Sequence, residues 1–165
     1  MSPTTSVTRV RVRYAETDQM GVVYYANFFV WFELGRTDLL RGAGSSYRDL
    51  ERQGCSLPVV EARCEYRQPA RYDDELDIRT TGALLSPVRV RFDYQVVRAS
   101  DDVLLAGGHT VHAALDAGGR PRRLPDHVSQ LLVRTSGPAA ASGETAGPIG
   151  PDEGASDRLR TGRRR

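Results

Sequence analysis

The side chains best suited to chemistry lie between Tyr14 and Gly42. Asp18 sits in the turn Tyr14-Ala15-Glu16-Thr17-Asp18-Gln19-Met20-Gly21. Just after it comes a strongly aromatic run, Tyr24-Tyr25-Ala26-Asn27-Phe28-Phe29-Val30-Trp31-Phe32. If that run is a helix, its first amides carry partial positive charge and point outward. A carboxylate beside them has two roles open to it. It can cap the helix, or it can face a substrate carbonyl whose oxygen those amides hold. Gly21 suits either role, since glycine permits a positive φ or a close backbone approach. Glu16, in the same turn, is expected to be exposed. Asn27 is expected as the N-cap. Tyr24 and Tyr25 are expected as core or pocket wall, with at least one in the core.

The remaining polar groups offer less. Glu33 and Arg36, and likewise Asp38 and Arg41, lie three apart on the expected helix and read as surface ion pairs. His109 and His112 are three apart on an expected strand, hence on opposite faces, and cannot readily share one metal. His127 falls in a short terminal helix. The chain has no H-E-x-x-H, no H-x-E with C-x-x-C and no G-x-S-x-G, so neither a metal site nor a serine nucleophile is expected. Cys55 and Cys64 form neither a C-x-x-C pair nor a disulfide framework, and neither carries a nucleophile signature. Any hydrolysis therefore falls to a carboxylate.

These residues need elements to hold them. Val7 to Tyr14 alternates, with Val10, Val12 and Tyr14 on one face and Arg9, Arg11 and Arg13 on the other, which predicts a half-buried strand. A long helix follows from Phe28. Phe28, Phe32, Gly35 and Leu39 share a face that Trp31 and Leu34 widen, opposite Glu33, Arg36, Asp38 and Arg41. Gly35 costs about 1 kcal/mol against Ala in a helix interior, which points to close contact with a sheet. Gly42 and Gly44 supply the stop. A short helix over 45–53 ends at Gly54. Strands are then expected over 57–67, 75–85, 88–98 and 103–115, with turns at 69–74, 86–87, 100–102 and 116–120. Pro125 opens a last short helix to Val133. The pattern is α+β: a curved antiparallel five-stranded sheet with a long, very apolar helix lying in its concave face.

Composition bounds the rest. One domain is expected over 1–135. Residues 136–165, rich in Gly, Ala, Pro and Arg, hold only Ile149 and Leu159 as large aliphatics and read as a disordered tail. Its basic end, Arg158 to Arg165, reads as a solvated tail with some capacity to touch an acidic surface. The formal net charge of +2 implies no nucleic-acid partner. No run approaches 18 apolar residues and the N-terminus lacks a signal-peptide pattern, so a cytoplasmic protein without membrane insertion is expected.

The run from Tyr14 to Phe28 closely resembles the signature of hotdog-fold acyl-CoA thioesterases of the 4-hydroxybenzoyl-CoA thioesterase family. Pro69-Ala70-Arg71-Tyr72-Asp73-Asp74-Glu75-Leu76 resembles that family's second segment. The likeness runs from about Val7 to Val133. It implies the hotdog fold, a sheet wrapping a central helix. It implies that Asp18 matches the catalytic carboxylate, as nucleophile or general base. Tyr25 matches the position whose backbone amide polarises the thioester carbonyl, and Gly21 matches the turn glycine. A related branch carries histidine at the position of Tyr25, which argues against a histidine-assisted step here. Some enediyne-pathway relatives lack the acid, and Asp18 argues against that subgroup.

The same resemblance implies an acyl-CoA or acyl-carrier-protein substrate, no cofactor, and a homodimer or homotetramer with the acyl site at the subunit interface. Tyr24 and Asn27 are then candidates for substrate binding. Arg71, Arg89 and Arg91 are candidates for the CoA phosphates, with Ser86 in the same region, although a solvated sheet face accounts for the arginines equally well. Two alternatives stand beside hydrolysis. A hotdog dehydratase or hydratase needs a histidine with its acid on a helix, and the long helix has none. A non-catalytic acyl-thioester binding module would bind tightly without turnover.

Overall fold

From Val90 to Val96 every second residue points inward, and that alternation sets the core; it breaks at a register shift where Val97 is buried too. A computed structural model describes residues 5–133. The expected domain limits and the tail at 136–165 lie outside the described residues. Val90, Phe92, Tyr94 and Val96 are all buried, while Arg89, Arg91, Asp93 and Gln95 face out. Around them five strands form one antiparallel sheet: β1 (Thr5–Arg11), β2 (Val59–Tyr66), β3 (Glu75–Ser86), β4 (Arg89–Arg98) and β5 (Val103–Ala113). Their order across the sheet is β1-β3-β4-β5-β2, so β1 and β2 form the two edges. The helices are α1 (Asn27–Gly42), α2 (Tyr47–Arg52) and α3 (Asp126–Val133). This is the expected curved sheet around one long helix.

The helix lies on the inner face against β1, β3 and β4. Phe28, Trp31, Phe32, Gly35, Leu39 and Leu40 are buried beneath it. The Phe32 ring stacks on Tyr94, with centroids 4.2 Å apart and planes 3° from parallel. Gly35 is where backbone meets sheet: a Cβ there would collide with Thr80 Oγ1 and crowd Ile78. That contact outweighs the lost helix propensity. Asp38 pairs with Arg41 at 3.5 Å and also accepts the Thr8 hydroxyl at 2.8 Å, which ties α1 to β1.

Four local expectations are corrected. Asn27 is not the N-cap. It is the first helical residue, Ala26 precedes it in αR geometry, and no side chain caps this helix. Arg36 is not on the wet side. It is buried, and its Nε donates to the Tyr47 hydroxyl at 3.2 Å while the guanidinium sits 3.5 Å from Glu33. Leu34 does not widen the buried face, since it lies beyond the arc that the sheet covers and is 44 % exposed. Tyr14 is not in the first strand. The chain leaves the sheet at Arg11 and makes a 3-10 turn at Tyr14–Glu16, which carries the Tyr14 ring to solvent.

Candidate active site

The acidic turn is built from backbone pairing. Asp18 N–H donates to Val22 O and Gly21 N–H donates to Asp18 O, closing a tight loop in which Gly21 has a φ of 74°. That φ is costly for any residue with a Cβ. The Thr17 and Val23 backbones form a β-bridge, and Val23 N–H donates to Ala70 O at 2.8 Å. The two sequence segments that resemble the thioesterase signature are therefore hydrogen-bonded to each other. The second segment is clamped in turn. Arg98 donates to Pro69 O and to the Asp74 carboxylate, Arg71 N–H donates to Asp74 Oδ2, and Asp73 takes a φ of 68°.

Glu16 is buried, not exposed. Its carboxylate accepts the Arg13 backbone amide at 2.7 Å and the Arg13 guanidinium at 3.0 Å. Its carbonyl accepts from Tyr24 N–H and from the Asn27 side-chain amide at 2.8 Å. Asn27 thus works backwards, fastening the helix start to the turn.

Asp18 does not cap α1. Its Oδ1 accepts Met20 N–H at 2.8 Å, within its own loop, and among the described residues Oδ2 makes no hydrogen bond. The carboxylate opens on a cleft of about 320 Å³ lined by Met20, Val22, Tyr25, Phe28, Tyr66 and Arg67, among others. Among the described residues, the N–H groups of Tyr25 and Ala26 have no acceptor. The first helix-type bonds at this end are made by Asn27 N–H to Tyr24 O and Phe28 N–H to Tyr25 O. A half-buried carboxylate and Tyr25, whose N–H is unspent among the described residues, therefore border one apolar cleft, with the Ala26 amide next in the chain.

The other expected site residues fall as follows. Tyr24 and Tyr25 are both outside the core, 47 % and 58 % exposed, because they lie in the turn ahead of α1 and not on its packed face. Tyr25 lines the cleft and Tyr24 does not, although their rings touch at 4.8 Å. Arg71 follows the cleft residue Ala70 and is exposed. Ser86, Arg89 and Arg91 are not brought to this cleft within one protomer. Ser86 Oγ accepts Val88 N–H in the β3–β4 turn, and Arg91 pairs with Asp93 at 2.7 Å on the outer face. His109 and His112 do point to opposite faces. His109 meets Glu61 at 2.6 Å outside, while buried His112 bonds Leu57 O and Thr110 Oγ1, each at 2.9 Å. Burial pushes the His112 pKa down to about 4. Burial also raises both thiols, Cys55 and Cys64, away from the reactive thiolate form.

A family model described as the thioesterase-like superfamily matches residues 12–132. The chain belongs to that superfamily. Three relatives give the range of likeness. YneP of Bacillus subtilis (strain 168) is 46 % identical over 71 residues, 43 % of this chain and 51 % of YneP, so the match spans about half of that protein. The acyl-CoA thioester hydrolase YbgC of Escherichia coli O157:H7 is 32 % identical over 119 residues, 72 % of this chain and 89 % of YbgC. Among solved structures, Slr0204, a 1,4-dihydroxy-2-naphthoyl-CoA thioesterase from Synechocystis, superposes with a TM-score of 0.74. It is 26 % identical, and the match covers 78 % of this chain and 95 % of that one.

Within this thioesterase-like frame, three cleft residues were not singled out from sequence: Tyr66, Arg67 and Gln68. A signal for Tyr66 existed. It ends the alternation Ala62, Cys64, Tyr66 and stands three residues before the Pro69 segment. Its pairing with the helix start depends on a contact 41 residues apart, which no local pattern reveals.

Proposed function

We propose that the protein hydrolyses acyl-CoA thioesters, with Asp18 as nucleophile or general base and the Tyr25 amide polarising the thioester carbonyl. The observation that carries this reading is the shared cleft, lined by both Asp18 and Tyr25, whose N–H has no acceptor among the described residues. Carboxylates are ionised at neutral pH without special tuning. Attack by Asp18, or by water it deprotonates, puts negative charge on the thioester oxygen. A preorganised amide is worth about 3 to 4 kcal/mol to that charge. The tetrahedral species then collapses, the C–S bond breaks, and the CoA thiol leaves. In the nucleophilic route water cleaves the resulting anhydride. In the general-base route the free acid forms directly.

CoA, rather than a carrier protein, is the preferred thiol, supported by the CoA substrates in the names of YbgC and Slr0204. The cleft wall of Val22, Val23, Tyr25, Phe28 and Tyr66 suits an apolar or aromatic acyl group. The working unit is a dimer at least. No residue of edge strand β2 is buried, and Val59, Val60, Val30 and Leu34 are apolar groups left exposed among the described residues. A partner seated there would complete the cleft and bring its own arginines near it. Thiol release measured over short, long and aromatic acyl-CoAs, and over an acyl-carrier-protein thioester, tests the function. Turnover of at least one acyl-CoA is expected, and ligand binding without thiol release from any member would overturn it.

A further inference from the structure

Beyond Asp18 and the Tyr25 amide, the cleft contains one side chain that touches the catalytic backbone itself. The Tyr66 phenol, at the end of β2, donates to Tyr25 O at 3.0 Å. Its ring is fixed by edge contacts with Phe28 at 5.2 Å and Tyr25 at 6.4 Å. Just beyond it the chain is pinned to β5, since Arg67 N–H and Gln68 N–H both donate to Leu105 O.

Tyr25 O belongs to the peptide whose N–H is that of Ala26, one of the two helix-start amides without an acceptor. Among the described residues, the one backbone donor to that carbonyl is Phe28 N–H at 3.3 Å, a long bond. The neighbouring peptide, whose N–H is that of Tyr25, is held better, by Asn27 N–H on Tyr24 O at 3.0 Å. A hydrogen bond accepted by a peptide carbonyl strengthens donation by the same peptide's N–H, and both bonds together set the Tyr25 backbone angles. Burial raises the Tyr66 pKa, so the phenol stays a donor across the working pH range.

We propose that Tyr66 is a positioning residue for thioester hydrolysis: its hydroxyl orients and polarises the Tyr25–Ala26 peptide, so that Ala26 N–H joins Tyr25 N–H in holding the developing oxyanion. The proposal rests on the thioesterase reading above. It gives β2, a sheet edge far away in sequence, a direct part in the chemistry. It also makes the oxyanion site a two-amide device rather than a single amide.

Tyr66→Phe is the test, since it keeps the ring contacts and removes only the hydroxyl. Loss of one such bond predicts a fall in kcat of about three- to tenfold with KM unchanged, and at most a small fall in unfolding midpoint. A second readout needs no turnover. An acyl-CoA bound to an Asp18→Asn protein should show its thioester carbonyl stretch shifted down by vibrational spectroscopy. Adding Tyr66→Phe should reverse part of that shift. A Tyr66→Phe enzyme with full kcat, a change confined to KM, or an unmoved carbonyl stretch would overturn the proposal while leaving Asp18 in place. A wild-type protein that neither binds nor hydrolyses any acyl-CoA would overturn the functional reading and this one with it.

Discussion

At the residue scale, neighbouring carboxylates have opposite fates, and burial decides them. Glu16 turns inward, where a backbone amide and a guanidinium satisfy it, and it braces the helix start through its carbonyl. Asp18, two residues on, turns to the cleft with one oxygen unspent among the described residues. The same logic gives buried His112 a measurable signature. In the unfolded chain a histidine binds its proton near pH 6.5, but folded His112 does so only near 4. Between those values the unfolded state holds the extra proton, so stability is lost as pH falls through that window, by up to about 3 kcal/mol. Urea unfolding at pH 7, 5.5 and 4 should show that decline, and His112→Gln should flatten it. Equal slopes in the two proteins would mean that His112 is not the titrating group.

At the element scale, the long helix and the strands were legible because their periods are strong. The inward face Val90, Phe92, Tyr94, Val96 and the Phe28, Phe32, Gly35, Leu39 face both end up in the core as read, while Val88 stays half-buried. What failed was set by tertiary partners that a local pattern does not contain. Arg36 reads as a surface cation until the Tyr47 hydroxyl accepts its Nε in a buried site, and Asn27 reads as a cap until Glu16 O receives its amide. Adjacent glycines in β5 expose the same distinction. A Cβ on Gly108 would strike the Arg63 carbonyl and press on Phe32 at 2.9 Å, whereas on Gly107 it would meet only Tyr94 O at 3.7 Å. Gly108→Ala should therefore cost about 2 kcal/mol or more through displacement of β2, and Gly107→Ala about 0.5 kcal/mol or less. Chemical denaturation of the pair checks this. Equal costs would show that β2 is free to shift at Arg63.

At the scale of the whole molecule, the protomer leaves one edge unfinished. Strand β2 carries exposed Val59, Val60 and Tyr66, and α1 exposes Val30 and Leu34. The expected outcome in solution is a mass of at least twice the 18.2 kDa chain by light scattering. Val60→Lys should shift the protein to monomers and lower turnover together, because the cleft's Tyr66 stands on the same strand. A fully active monomer would contradict that assembly. Ser86, Arg89 and Arg91 do not line the cleft within one chain, and in the proposed assembly they would meet the nucleotide from the partner. No local pattern in one chain could have placed them.

The central claim is that Asp18 performs the hydrolysis. The most direct measurement is kcat/KM of Asp18→Asn against wild type on the best acyl-CoA, with unfolding midpoint and assembly state matched. The account predicts a loss of about a thousandfold or more with the fold intact. An Asp18→Asn protein that releases CoA thiol at the wild-type rate would contradict it.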